Sequence, residues 1–173
     1  MKKNNIIWIA LWAFVGIVGI FSIANDKKNK STNDEMALYT EKCYNFNNGR
    51  YISLEQMQYI ASKKMSSSDI DVFSEKCGFI LKEAKRNDAK NSSEYGFNGF
   101  KYHVLVIDNH YTFLCNSSTE YINKLRSDLL AEDNSATIGE NNISSSNIEG
   151  LANVSMNWDL NYGSVLVAIT AIK

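Results

Sequence analysis

Residues 151–172 read LANVSMNWDLNYGSVLVAITAI, and their pattern decides what the rest of the chain must pack against. Val154, Met156, Trp158 and Leu160 alternate with Asn153, Ser155, Asn157 and Asp159, so an extended chain would have one dry face and one wet face. A turn at Asn161 to Gly163 returns the chain as Ser164 to Ile172, whose near-continuous apolar character predicts a central strand covered on both faces. The chain should end inside its own antiparallel sheet.

A second hairpin is expected upstream. Phe100 to Ile107 and Tyr111 to Cys115 are rich in aromatic and β-branched residues and flank Asp108-Asn109, a favourable two-residue turn. That turn sets His110 opposite Ile107 and His103 opposite Leu114. Between the hairpins, Ser117 and Glu120 have capping-box spacing, with Tyr121, Leu125 and Leu129 on one side of a helix ending near Glu132. Residues 133–150, DNSATIGENNISSSNIEG, lack aromatics and predict a mobile loop, long for a compact domain.

Before the first hairpin the spacing is helical. Thr32 and Glu35 begin a predicted helix over 33–46, with Met36, Tyr39, Cys43 and Phe46 on its apolar side. Ser53 and Gln56 cap a second over 53–65, with Ile52 and Met57 at hydrophobic-staple positions. Ile70, Phe73, Cys77, Ile80, Leu81 and Ala84 keep three-and-four spacing for a third, which should run to about Arg86. A polar, flexible run is expected from Asn87 to Ser93. The fold class predicted is α+β, with about four helices on one face of a mainly antiparallel sheet of about four strands.

Outside this domain lies Ile6 to Ala24, IIWIALWAFVGIVGIFSIA, nineteen residues without a charge. As a helix it would run ~28 Å, close to the ~30 Å hydrocarbon core of a bilayer, with Trp8 and Trp12 near one interface. It predicts a transmembrane anchor after a short cytoplasmic tail (1–5), followed by a polar tether (25–32) and a domain over 33–173. Ala10, Ala13, Gly16, Gly19 and Ser22 recur every third residue and form a ridge where another helix could approach closely. Ser22-Ile23-Ala24 also suits a signal peptidase, but the apolar run exceeds the ~7 to 15 residues of most signal peptides, which favours an uncleaved anchor. Lys2 and Lys3 nearly balance Lys27, Lys28 and Lys30 across the span, so charge alone does not orient it. A signal-like N-terminal segment normally exports the larger C-terminal part of its chain, and this places the domain in a bacterial periplasm, on an inner membrane.

The formal net charge of -1 leaves no electrostatic footprint for nucleic acid, which is excluded as an expected partner. Proline is absent although average usage is about 5%. With heavy use of Asn, Lys, Ile and Ser, this fits AT-rich bacterial coding.

Cys43 and Cys77 sit in similar contexts, Tyr-Thr-Glu-Lys-Cys and Phe-Ser-Glu-Lys-Cys, on the apolar faces of two predicted helices. A disulfide between them would stabilise the fold by about 3 to 4 kcal/mol in the chain-entropy model. Three cysteines allow three pairings, and Cys115 could itself pair with Cys77. His103, His110, Asp108 and Cys115 allow a Cys-His pair or a metal site to be drawn, but ordinary strand residues explain them better. No Gly-rich phosphate loop, HExxH, CxxC or GxSxG is present. No catalytic, cofactor-binding or metal-ligating set emerges.

The function expected is therefore non-enzymatic. A single-pass protein would present a periplasmic interaction domain to another membrane or periplasmic protein, or to a second copy of itself, as an accessory, assembly or sensory subunit of a membrane complex. The alternative is a pilin-like or secretion-apparatus subunit, from which the chain departs in lacking Gly before Phe or Met ahead of the span and Glu near its start. A periplasmic enzyme ranks last.

Overall fold

The computed structural model describes residues 34–47, 49–87 and 91–173. Tyr39–Lys173 form one compact unit; of the unit before it, residues 34–38 are described and are helical. The helix α1 (34–40) is followed by β1 (Tyr44–Phe46) and β2 (Gly49–Tyr51), paired as a small antiparallel ribbon with Tyr44 opposite Tyr51. Then come α2 (Leu54–Ser62), α3 (Ser67–Lys76), β3 (Ile80–Arg86), β4 (Asn91–Phe97), β5 (Phe100–Ile107) and β6 (His110–Asn116). After α4 (Thr119–Glu132) the chain ends with β7 (Thr137–Ile138), β8 (Asn142–Ser145), β9 (Leu151–Asp159) and β10 (Ser164–Ala171).

Eight of these strands make one antiparallel sheet in the order β3-β4-β5-β6-β10-β9-β8-β7. The order explains itself as two four-stranded meanders, β3 to β6 and β7 to β10, whose last strands pair side by side. Each meander follows a helix, α3 or α4, so the topology is a helix and four strands written twice about an axis between Phe113 and Val167, which face each other in the register. Short hairpins build each half locally, and only α4 must carry the chain from the centre of the sheet to its far edge.

One face of the sheet is dry. Tyr95, Tyr102, Val104, Tyr111, Phe113, Cys115, Val165, Val167, Ile169, Val154, Met156 and Ile143 are buried on it beneath the helices, α2 lying over β10, β6 and β9 and α3 over β3 and β4. Burial of this aliphatic and aromatic surface is the main favourable term in folding. Tyr51, Phe100 and Tyr121 form its aromatic centre, with ring centroids 4.5 to 5.5 Å apart. Such pairs add ~0.5–1.5 kcal/mol beyond their area. Tyr121 donates its hydroxyl to the Ile52 carbonyl at 2.7 Å, and Tyr111 donates to that of Met65 at 3.1 Å, so the deepest phenols are not left unpaired.

Several expectations hold. The turn at Asp108-Asn109 puts Ile107 opposite His110 and His103 opposite Leu114, and β9 pairs with β10 across the expected turn. α2 opens with the Ser53–Gln56 capping box. α4 starts one residue later than expected, with Ser118 as the N-cap accepting from Tyr121 N–H.

The fold class needs correction. The sheet has eight strands, with a separate two-stranded ribbon, where about four strands were expected. The third helix stops at Lys76 and the chain continues as strand β3, because Gly78 adopts a left-handed φ of +86° and Ile80–Arg86 find a partner in β4. The segment from 87 to 93, expected to be irregular, contributes the start of β4, and the loop expected over 133–150 contains β7 and β8. The helix expected over 33–46 gives way before Cys43 to the ribbon. β10 is central as expected, but it is covered on one face only: Val165, Val167, Ile169 and Ala171 are buried while Leu166 and Ala168 are partly open. The membrane reading is corrected as well. Among the described residues no helix is long and apolar enough to cross a membrane, and the span and ridge expected over 6–24, with Ala10, Ala13, Gly16, Gly19 and Ser22, lie outside them.

Candidate functional site

Cys43 and Cys77, far apart in sequence, meet over one side chain. Cys77 caps the C-terminus of α3, and Cys43 lies between α1 and β1, so both sulphurs point to the start of α2. There Gln56 is fixed by its capping role, its Oε1 accepting from Ser53 N–H at 3.1 Å. Its Nε2 is left to donate to Cys43 Sγ at 3.1 Å, Cys77 Sγ at 3.4 Å and the Tyr39 carbonyl at 2.9 Å. Cys77 also hydrogen-bonds to Cys43, which lowers the Cys43 pKa below the usual thiol value despite burial, with Gln56 and the Arg50 charge adding to the effect. The same bond and burial raise Cys77, which keeps its proton. Both cysteines are free thiols here, 6% and 1% exposed. Gln56 was legible as a cap, but its second role at the sulphurs required the tertiary fold.

Cys115 is apart from this pair. It faces the core from β6, its Sγ lies 3.7 Å from the Tyr121 hydroxyl oxygen, and burial pushes its thiol up to about 12. The histidines point the other way. His103 reaches Glu94 at 3.0 Å and His110 Nδ1 lies 3.0 Å from the Thr170 hydroxyl, both on the opposite face of the sheet from Cys115. No Cys-His arrangement forms from these residues. Among the described residues no group of three or more His, Cys, Asp or Glu is placed to hold a metal.

That opposite face carries no covering layer among the described elements. Register places its side chains in rows across the strands: His103, Leu114, Leu166 and Asn157 in one, Leu105, Thr112, Ala168 and Ser155 in the next. Leu114 is 45% exposed, and Leu105, Leu166 and Ala168 are half-buried by their neighbours. From β6 across β10 to β9, this face carries no Lys, Arg or Glu, and its only Asp is Asp159 at one end, tied to the Asn161 and Tyr162 N–H groups. In a chain with 21% charged residues, a wide surface without charge is a departure that the solvent alone does not require. The β3 edge is the contrast. All seven of its residues are exposed, it carries Lys82, Glu83, Lys85 and Arg86 and it breaks register between Leu81 and Glu83, devices that discourage edge pairing.

A cleft of about 390 Å³ opens at the start of α4, between Tyr51, Phe100, Asn116, Ser118 and Tyr162. Ser118 and Asn116 among its polar groups are spent on the fold. Ser118 accepts from Tyr121 N–H at 3.3 Å, and Asn116 accepts from Lys101 N–H and donates to the Gly99 carbonyl. No convergent set of acids, bases or nucleophiles faces the space.

No family model, curated protein or solved structure matches the chain.

Proposed function

We propose that Tyr39–Lys173 is a non-catalytic interaction domain whose uncovered sheet face binds another protein, acting as an accessory, assembly or sensory subunit of a membrane complex. The observation that carries this reading is the charge-poor outer face around Leu114 and Leu166, at the middle of the sheet where β6 meets β10. Depletion of charge with exposed aliphatic side chains is the composition of an interface centre, and a polar rim of Asn153, Asn157 and His110 surrounds it. Placement of the domain in a bacterial periplasm, at the inner membrane, belongs to this proposal and is supported by the signal-like N-terminal segment, which normally exports the larger C-terminal part of its chain.

The test is affinity capture of the full chain from detergent-solubilised membranes. The tagged chain should retain one protein, or a second copy of itself, in fixed proportion. Leu114→Lys and Leu166→Lys should release it while leaving the unfolding midpoint within a degree or two. Equal retention by wild type and both variants would remove the outer face as the binding surface.

A further inference from the structure

We infer that Cys43 and Cys77 form an intramolecular disulfide by exchange with a disulfide oxidant of the glutathione class, with Cys43 attacking, Cys77 resolving and Cys115 remaining a thiol. The geometry that carries it is the convergence of both sulphurs on Gln56 Nε2, which lies 3.1 Å from Cys43 Sγ and 3.4 Å from Cys77 Sγ, since a cystine forms only where two sulphurs already approach. This bond is independent of the proposed function, because it lies on the helix side of the domain and is a covalent change that needs no partner.

The chemistry balances within the pair. The Cys43 thiolate attacks one sulphur of the oxidant RSSR, a bond forms between Sγ and that sulphur, and one RS⁻ leaves. Cys77 then loses its proton to solvent, its sulphur attacks Cys43 Sγ and the second RS⁻ leaves; the two RS⁻ take up the two protons that the cysteines released. Two protein thiols become one cystine, and the oxidant is reduced to two thiols. The surroundings divide the labour. Cys43 receives the Cys77 S–H, the Gln56 amide and the nearby Arg50 charge, which favour the anion against burial, the Glu41 charge and its own hydrogen bond to the Thr40 carbonyl at 3.7 Å, and it is the less deeply buried of the two. Cys77 holds the proton until the mixed disulfide exists. Cys115 faces the core from β6, and its sulphur is not one of the two that meet at Gln56.

Oxidation would tie the segment after α1 to the end of α3 beside the first turn of α2. The two Lys-Cys junctions make the product easy to read, because trypsin should release residues 43–50 and 77–82 as a single linked species.

The experiment equilibrates the reduced full chain with mixtures of oxidised and reduced glutathione, quenches with alkylating reagent and maps peptides without reduction. Wild type and Cys115→Ser should each lose two thiols, gain the 43–50/77–82 linked peptide, and do so independently of protein concentration. Cys43→Ser and Cys77→Ser should yield no internal cystine; Cys77→Ser, which retains the attacking thiol, should accumulate the mixed disulfide at Cys43. Three free thiols across the whole redox range would overturn the inference. So would a Cys77–Cys115 link or crosslinks only between chains. Folding of each variant is checked by its far-ultraviolet spectrum, and Cys115→Ser keeps the inference testable if either partner variant fails to fold.

Discussion

Phe79 donates its backbone N–H to the carbonyl of Ser74 at 2.9 Å, and Gly78 donates to Glu75 at 2.8 Å, so α3 is closed by a Schellman motif. Gly78 supplies the left-handed φ of +86° that the motif requires. Gly78→Ala should therefore destabilise the domain by ~1–2 kcal/mol. α2 ends in the same way, with Lys64 to Ala61 at 2.9 Å and Met65 to Ile60 at 3.1 Å, but there the left-handed residue is Lys64. Lys64→Gly should stabilise by roughly 0.5–1 kcal/mol. Urea unfolding of the two variants should move the midpoint in opposite directions.

This motif also explains what could be read in advance. Ile80, Leu81 and Ala84 continue the three-and-four spacing of α3, and only the Gly78 stop and the partner strand β4 convert the segment to an edge strand with both faces wet. β4 itself reads NSSEYGF and β8 reads NISS, so their inward positions carry small polar residues such as Ser93 and Ser145 that give no hydrophobic alternation. The two hairpins, α2 and α4 were legible because turn, cap and apolar period agreed locally. The matching contexts of Cys43 and Cys77 singled the two out, but their shared contact with Gln56 needed the tertiary fold; the uncovered outer face was not legible, since Leu166 and Ala168 made β10 look doubly buried.

Ser74 and Tyr102 share a fully buried hydrogen bond of 2.5 Å between α3 and β5. Tyr102→Phe leaves the Ser74 hydroxyl without its partner and should cost ~1–3 kcal/mol. Adding Ser74→Ala to Tyr102→Phe should recover part of that loss, so a double-mutant cycle by denaturant unfolding should show a coupling energy clearly different from zero.

Two adjacent carboxylates at the end of α4 should respond to pH with opposite sign. Asp133 accepts from Ser135 N–H at 2.9 Å and from the Ser135 and Ser145 hydroxyls, which hold its pKa below the usual value. Its stabilisation is full above the ordinary aspartate pKa of about 4 and is lost as pH falls through the lower folded value. Glu132 is raised, by burial first and then by Glu55 and Asp128. Its charge opposes folding above that raised pKa. Thermal melts should show Asp133→Asn less stable than wild type at pH 7, with the gap closing in acid. Glu132→Gln should be more stable at pH 7, with the gain fading once Glu132 is protonated.

Closing the Cys43–Cys77 loop should raise stability by ~3–4 kcal/mol, or a melting temperature about 10 °C higher, in the chain-entropy model. Melts of the glutathione-oxidised and fully reduced chains check this. Cys115→Ser should show the same difference, and Cys43→Ser should show none.

The central claim is that the outer face around Leu114 and Leu166 meets another protein, and photo-crosslinking in intact cells tests it most directly. A photoreactive phenylalanine analogue placed at Leu114 or Leu166 should give one adduct of defined mass, with a different protein or a second copy of the chain. The same analogue at exposed Ser127 on α4 should give none. No adduct from either sheet position, or an equal yield from Ser127, would contradict it.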